Sequence, residues 1–208
     1  MTQDELYELF VDGAGKSRWK VDKVCFPDKL GSKPMLPDKE NIFKALETIS
    51  PKKVKYLILG QDPYPTKTKG VPDATGIAFA VNRTATKNIP HSLRRIMKKI
   101  YVNGNGSPDL EEWRKKHQIL LLNAALTVPV NKPGAHLEMW SCFTKSIIKQ
   151  VKKSNPDVQM IAWGNNAMGT LCDALGLFTW SYHPAASKGG PKSFTAFWNT
   201  PVGKSLAS

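Results

Sequence analysis

The stretch that decides the fold is residues 54–65, Val-Lys-Tyr-Leu-Ile-Leu-Gly-Gln-Asp-Pro-Tyr-Pro. Its first six residues are largely apolar and have the length of a strand, which indicates a buried strand. Gly60 ends the run, and the polar pair Gln61 and Asp62 follows at once. In open α/β sheets, ligands bind beyond the carboxyl ends of the strands. The stretch therefore predicts a central strand that delivers a carboxylate to a ligand-binding crevice.

Further along the chain, short apolar runs alternate with helical patterns. Strands are predicted at residues 119–122, 158–163 and 178–182, with a short one at 76–81, and helices at 37–50, 92–101, 139–152, 166–175 and 193–199. This alternation is typical of an α/β fold. We expect one domain over residues 1–208, an α/β/α sandwich around a twisted, mostly parallel sheet of four strands. Residues 1–35 show no readable pattern and are assigned to it as an N-terminal extension.

Three polar residues directly follow three of the predicted strands. Asp62, Asn123 and His183 each lie just past the end of an apolar run. Because parallel neighbours end at the same edge of a sheet, we expect these side chains to converge on one crevice. A carboxylate, a carboxamide and an imidazole would then face one ligand.

Length and charge limit the classes of function. A chain of 208 residues can bury one sizeable core, and no apolar run approaches the ~20 residues that span a bilayer. The acidic N-terminus is unlike a signal peptide, so we expect a soluble intracellular protein, cytoplasmic or, in a eukaryote, nuclear, with no membrane partner. Thirty Lys and Arg against 17 Asp and Glu leave a net charge of +13, which attracts polyanions such as nucleic acids.

Several other kinds of site are disfavoured. Cys25, Cys142 and Cys172 form no Cys-x-x-Cys pair, and the four histidines lack metal-ligand spacing, so we expect reduced thiols and no metal. Residues 13–17 end like a phosphate-binding loop but lack its first glycine and a preceding strand. No Gly-x-Ser-x-Gly elbow of a serine hydrolase occurs.

The segment Gly60-Gln61-Asp62-Pro63-Tyr64-Pro65 resembles the first motif of family 1 of the uracil-DNA glycosylase superfamily, Gly-Gln-Asp-Pro-Tyr-His, at five of six positions. Further landmarks follow in the family's order. Residues 75–81 resemble its His-Gly-Leu-Cys-Phe-Ser-Val segment, residues 120–123 match its Leu-Leu-Leu-Asn strand, and Trp163-Gly164 and His183-Pro184 match two more. The resemblance implies a cofactor-free, monofunctional glycosylase that removes flipped-out uracil from DNA and so starts base excision repair.

The resemblance also implies roles for the three convergent residues. Asp62 opposes the positive charge that develops on the sugar and orients the attacking water. His183, as a neutral imidazole, donates to the C2 oxygen of the leaving uracil. The carboxamide of Asn123 reads N3–H and the C4 oxygen of uracil and rejects cytosine.

Other residues of the same motifs would surround the base. The backbone at Gln61 and Asp62 is expected along the edge of the base, Phe79 stacks on its face, and Tyr64 excludes the methyl group of thymine. Each role has a structural alternative: a loop cap for Asp62, a satisfied strand end for Asn123, a buried histidine for His183, and plain core for Phe79 and Tyr64. We favour the functional roles within these motifs.

Two segments are predicted to contact DNA. Pro90, His91 and Ser92 resemble the family's loop for the DNA backbone, where Ser92 bonds a phosphate, caps the following helix, or does both. Ala186, Ser187 and Lys188 form the second segment. The cationic face of the helix at 92–101 is interpreted as solvated surface, and its members are Arg94, Arg95, Lys98 and Lys99.

The chain departs from the family at two positions. Pro65 stands where the family has histidine, and proline has no backbone donor. By count, Ser187 stands where the family inserts a leucine wedge into the base stack, and wedges are normally large and apolar. Either Lys188 or a nearby loop substitutes, or single-stranded DNA is preferred.

Alternative functions stay open beside the leading one. They are a DNA-binding relative with reduced catalysis and a glycosylase with altered base specificity. The net charge and the loop at Pro90 oppose a nucleoside or nucleotide hydrolase. We expect a monomer whose partners are uracil-containing DNA, single- or double-stranded, and potentially a proteinaceous glycosylase inhibitor.

Overall fold

A four-stranded parallel sheet forms the centre of the computed structural model, which describes residues 1–31, 34–82, 89–175 and 178–207. Its strands, in spatial order, are β5 (Ile119–Asn123), β2 (Tyr56–Gly60), β7 (Gln159–Trp163) and β8 (Thr179–Ser181). The predicted α/β fold with a four-stranded parallel sheet is confirmed.

Helices cover both faces of this sheet. They are α1 (Gln3–Asp12), α2 (Lys44–Glu47), α3 (His91–Ile100), α4 (Glu111–His117), α5 (Leu137–Ser154), α6 (Asn165–Leu175), α7 (Phe194–Phe197) and α8 (Pro201–Leu206). Successive residues of β2 point to opposite faces, as strand geometry requires. Leu57 and Leu59 join one buried cluster with Phe143 of α5, whereas Ile58 joins a second with Leu93 of α3. The two clusters are the two interlayer cores of the sandwich.

Two small antiparallel pairs lie outside the central sheet. Strand β1 (Met35–Leu36) pairs with β6 (Val128–Pro129), and β3 (Lys67–Thr68) pairs with β4 (Val71–Pro72). Short 3-10 turns occupy Ala14–Ser17, Lys23–Cys25, Lys39–Asn41, Pro51–Lys53 and Val102–Gly104.

Two local predictions are wrong. Residues 76–81 are not a strand, because Gly76 and Phe79 have positive φ angles of 77° and 65° that turn the chain away from extended geometry. The single helix predicted at 37–50 is broken into a 3-10 turn and the four-residue α2, since Phe43 between them is not helical.

The N-terminal segment packs into the domain rather than extending from it. Leu6 and Phe10 of α1 are buried, and Phe10 contacts Phe143 edge to face at 5.6 Å between ring centroids. Cys25 forms a disulfide with Cys142 of α5, so the expectation of reduced thiols is wrong for this pair, while Cys172 is free and exposed. Across the described ranges, no helix has both the length and the apolar character needed to cross a membrane.

Candidate active site

The carboxyl ends of three strands of the parallel sheet bring polar side chains into one pocket. Asp62 lies two residues past β2, Asn123 is the last residue of β5, and His183 lies two residues past β8. All three line a pocket of about 220 Å³. The remaining lining residues are Gln61, Pro63, Tyr64, Pro65, Ala74, Gly76, Ile77, Phe79, Ala80 and Ser92. The crevice predicted from strand ends therefore exists, and it contains every predicted base-contacting residue.

Gly60 allows the two walls of this pocket to approach each other. It pairs with Asn123 across the β2–β5 register. A Cβ atom at Gly60 would lie 2.6 Å from Oδ1 of Asn123 and 3.0 Å from Cζ of Phe79. Because real Cβ atoms do not tolerate such contacts, a larger residue here would displace the carboxamide, the ring or both.

Asp62 is fixed by a backbone donor from a distant loop. The backbone N–H of Gly134 donates to Oδ2 of Asp62. Gly134 has a φ of 82°, a backbone angle that residues with a side chain rarely adopt. Burial raises the pKa of Asp62, while the hydrogen bonds from Gly134 and from the Gln61 side chain act in the opposite direction. Gln61 is itself held, since Nδ2 of Asn166 donates to its Oε1 at 2.7 Å. Gly134 was not predicted as a site residue, although Pro133-Gly134 is a turn signal.

His183 is held as a single tautomer. The backbone N–H of Ala185 donates to its Nδ1 at 3.1 Å, so in the neutral ring the proton sits on Nε2. Burial lowers the pKa of His183, which favours the neutral ring. The side chain can thus offer one N–H donor without carrying a charge.

The loop that carries His183 is anchored by an arginine of α3. Nη1 of Arg95 donates to the carbonyl oxygen of Ala186 at 2.7 Å, and its guanidinium lies 5.6 Å from the centroid of the Phe194 ring. The interpretation of Arg95 as solvated surface is therefore wrong. Helical periodicity placed it on the polar face, but it could not reveal a partner 91 residues away.

Two aromatic residues form an apolar wall of the pocket. The ring of Phe79 lies 5.2 Å from that of Trp163 and 5.9 Å from that of His183, tilted by 37° to the latter. The Tyr64 hydroxyl donates to the carbonyl of Phe79 at 3.1 Å and lies 2.9 Å from Oγ of Ser92. Burial raises the pKa of Tyr64 to about 12, so the phenol is neutral.

The predicted DNA-contacting residues differ in exposure, and of them only Ser92 lines the pocket. Ser92 is buried, and Pro90, not Ser92, occupies the N-cap of α3, so the interpretation of Ser92 as a helix cap is wrong. His91, Ser187 and Lys188 are exposed, and Pro90 and Ala186 are half-buried. Pro65 lines the pocket, and its carbonyl accepts from the N–H of Asn131 at 2.9 Å.

Comparison with known proteins identifies relatives of this chain. The sequence-family model of the uracil DNA glycosylase superfamily matches residues 47–200 of this chain. The chain is 34% identical over 151 residues to a uracil-DNA glycosylase of Chromobacterium violaceum, covering 70% of this chain and 60% of that protein. It spans less than two thirds of the length of this curated relative.

Solved structures give the same picture. The crystal structure of mimivirus uracil-DNA glycosylase superposes with a TM-score of 0.65 at 28% identity, covering 74% of this chain and 58% of the viral chain. A variant of the viral protein in complex with UGI matches with the same TM-score, identity and share of this chain, and 59% of its own chain is covered.

Proposed function

The chain belongs to the uracil DNA glycosylase superfamily, and from that premise we propose that it hydrolyses the N-glycosidic bond between uracil and deoxyribose in DNA. The observation that carries the proposal is the convergence of Asp62, Asn123 and His183 on one pocket beside the Phe79 ring. Free uracil and an abasic site would be the products, and base excision repair would follow.

Asp62 is the group suited to the sugar side of the reaction. Bond cleavage builds positive charge on the deoxyribose, as in other glycoside hydrolyses. A half-buried carboxylate opposes this charge strongly, because the low local dielectric leaves it less screened than in water. The hydrogen bond from Gly134 fixes one carboxylate oxygen, and the carboxylate held in this way would orient the attacking water.

His183 is the group suited to the base side. Uracil leaves with negative charge, mainly on its C2 oxygen, and a donor placed beforehand stabilises that charge without reorganisation. The bond from Ala185 to Nδ1 leaves the Nε2 proton for this purpose. A neutral ring also avoids an ion pair with Asp62 before the reaction begins.

Asn123, Phe79 and Tyr64 would supply base selectivity. The carboxamide of Asn123 offers one acceptor and two donors, which complement N3–H and the C4 oxygen of uracil and oppose the cytosine pattern. The Phe79 ring would stack on the base. Tyr64, held at its hydroxyl by Phe79 and Ser92, would crowd the C5 position and reject thymine.

The DNA strand would follow the cationic surface around the pocket. The net charge of +13 favours phosphate contacts, and residues 90–92 and 186–188 are the segments that we propose make them. Because Ser187 offers little apolar bulk to fill a vacated base stack, we expect single-stranded DNA to be preferred. We further propose that the chain acts as one monomeric domain and that a UGI-type inhibitor can occupy the same face.

One assay tests the proposal. Purified protein is incubated with a single-stranded oligonucleotide that contains one uracil, and abasic sites are revealed by alkali cleavage. We expect uracil release without added metal, and a loss of about 100-fold or more in kcat for His183→Ala. No abasic product at protein in excess over DNA would defeat the proposal, and cleavage of cytosine or thymine controls would redefine the substrate.

A further inference from the structure

A strip of two aromatic side chains runs along the edge of the sheet next to the pocket. Trp180 of β8 and Tyr182 just after it are both half-buried, and their rings meet edge to face at 5.6 Å. Ser181 between them is buried and faces the other way. The alternation of a strand thus places both rings on one side of the edge strand.

Each ring carries a lysine. Nζ of Lys188 lies 5.1 Å from the centroid of Tyr182, and Nζ of Lys192 lies 4.7 Å from the centroid of Trp180. The N–H of Tyr182 donates to the carbonyl of Lys192 at 2.8 Å, which fixes the lysine loop along the strand. Within the described ranges, neither lysine has a carboxylate at ion-pair distance, so both charges are available to an anion.

The pocket lined by Asp62, Asn123 and His183 is called the base pocket below. A second, shallower pocket joins the aromatic strip to it. It has a volume of about 180 Å³ and shares Gln61 and His183 with the base pocket. Its other lining residues are Trp163, Gly164, Asn165, Asn166, Tyr182, Ala186 and Lys188. None of the described lining residues is acidic. A single DNA strand that leaves the base pocket past His183 would therefore pass directly onto the ring of Tyr182.

We propose that Trp180, Tyr182, Lys188 and Lys192 form a stacking platform for one or two unpaired nucleotides that adjoin the target deoxyuridine on one side. The proposal rests on the proposed function and adds a subsite to it. Proteins that bind single strands combine aromatic faces for successive bases with cations for the backbone. The two rings and two lysines match that composition, and bases engaged in duplex stacking could not use the rings.

The experiment uses single-stranded nonamers with a central uracil. In matched substrates, the bases on the 5′ side or on the 3′ side are replaced by tetrahydrofuran abasic residues that keep every phosphate. For the parent protein, we expect loss of the bases on one side to raise KM about 10-fold, with little effect from the other side. Equal KM values for all three substrates would overturn the proposal.

Variants assign the effect to the strip. Tyr182→Ala and Trp180→Ala should raise KM for the normal nonamer. In both variants, KM should no longer change when the flanking bases are missing. Tyr182→Leu keeps apolar bulk but removes the aromatic ring, and it should behave like Tyr182→Ala. Tyr7→Ala is the matched control, because the Tyr7 ring also lies under a lysine, Lys23 at 5.8 Å, yet lines neither pocket. Full sensitivity retained in Tyr182→Leu, or lost in Tyr7→Ala, would overturn the assignment.

Three binding measurements separate this proposal from the proposed function. If no substrate releases uracil, the proposed function fails, and binding of a fluorescent uracil-free thymidine nonamer still tests the strip: Tyr182→Ala must weaken it about 5-fold or more. Lys188→Ala should lower the slope of log affinity against log salt by roughly 0.7. An equal loss for duplex DNA in Tyr182→Ala would contradict an unpaired occupant.

Discussion

Gly60 is the residue on which the spacing of the pocket depends most directly. Replacing it by alanine places a methyl group against Asn123 and Phe79. Because small displacements of positioning groups are costly in catalysis, we expect kcat/KM of Gly60→Ala to fall about 10- to 100-fold. Steady-state kinetics on a uracil oligonucleotide measure this.

Gly169 supplies the control for that substitution. It lies inside α6, and a Cβ there would meet nothing within 4 Å. Gly169→Ala should keep full activity and gain about 0.5–1 kcal/mol of stability, because alanine is less flexible in the unfolded chain. Parent-like kinetics in Gly60→Ala would show that the pocket walls relax freely.

At neutral pH, the charged carboxylate of Asp62 should make the folded protein less stable than a neutral side chain at this position would. Since burial raises the pKa of Asp62 above that of the unfolded chain, the folded protein holds this proton more tightly, and ionisation at higher pH lowers the free energy of unfolding. Asp62→Asn removes the charge and keeps an oxygen for the Gly134 N–H. Although nearly inactive, it should melt about 1–3 °C above the parent at pH 7, a small gain because solvent screens a half-exposed group.

The pH dependence of the melting temperature shows whether the advantage of Asp62→Asn comes from the lost charge or from better packing. The advantage of Asp62→Asn should shrink as the pH falls through the raised pKa of Asp62 towards that of the unfolded carboxyl, where the parent is protonated in both states. Asp157→Asn, at an exposed carboxylate, should leave the melting temperature unchanged. An advantage that is constant with pH would argue for packing instead.

At the scale of elements, α3 holds the loop of His183 in place. Arg95→Ala removes the donor to Ala186 and should lower kcat about 10-fold with a smaller change in KM, because under the proposed mechanism the loop positions His183, which would act in the transition state. Arg95→Lys should recover part of the loss. Lys99→Ala removes the same charge from the exposed side of α3 and should not change kcat; equal losses in both variants would indicate an effect of charge alone.

The disulfide ties the N-terminal segment to α5. Without reductant, thiol titration should find one free cysteine per chain, Cys172, and three after reduction in denaturant. Cys25→Ser should lower the free energy of unfolding by about 2–5 kcal/mol, since the bond closes a long loop in the unfolded chain. Neither cysteine lines the base pocket, so kcat should be unchanged, and three reactive thiols in the folded, unreduced protein would contradict the pairing.

For the molecule as a whole, the sequence best predicted the strands of the central sheet and the polar residues that follow their carboxyl ends. Apolar runs predicted β2, β5 and β7 to within two residues, and Asp62, Asn123 and His183 follow strands whose common edge is a consequence of parallel pairing. Gly134, Arg95 and the Cys25–Cys142 bond were not predicted. Each acts on a partner 72, 91 or 117 residues away, and such contacts exist only once the layers have packed.

The overall charge leads to a last prediction about salt. If the +13 field acts through phosphates, log kcat/KM on a 20-residue single strand should fall linearly with log KCl, with a slope of about −2 or steeper, corresponding to three or more phosphates. A trinucleotide that contains one deoxyuridine has two internucleotide phosphates, so its slope should be no steeper than about −1.4. Since both substrates contain one uracil, the difference isolates the flanking surface. Identical slopes would restrict the electrostatic contribution to the immediate neighbours of the uracil, and a flat response of both would exclude the basic surface from substrate capture.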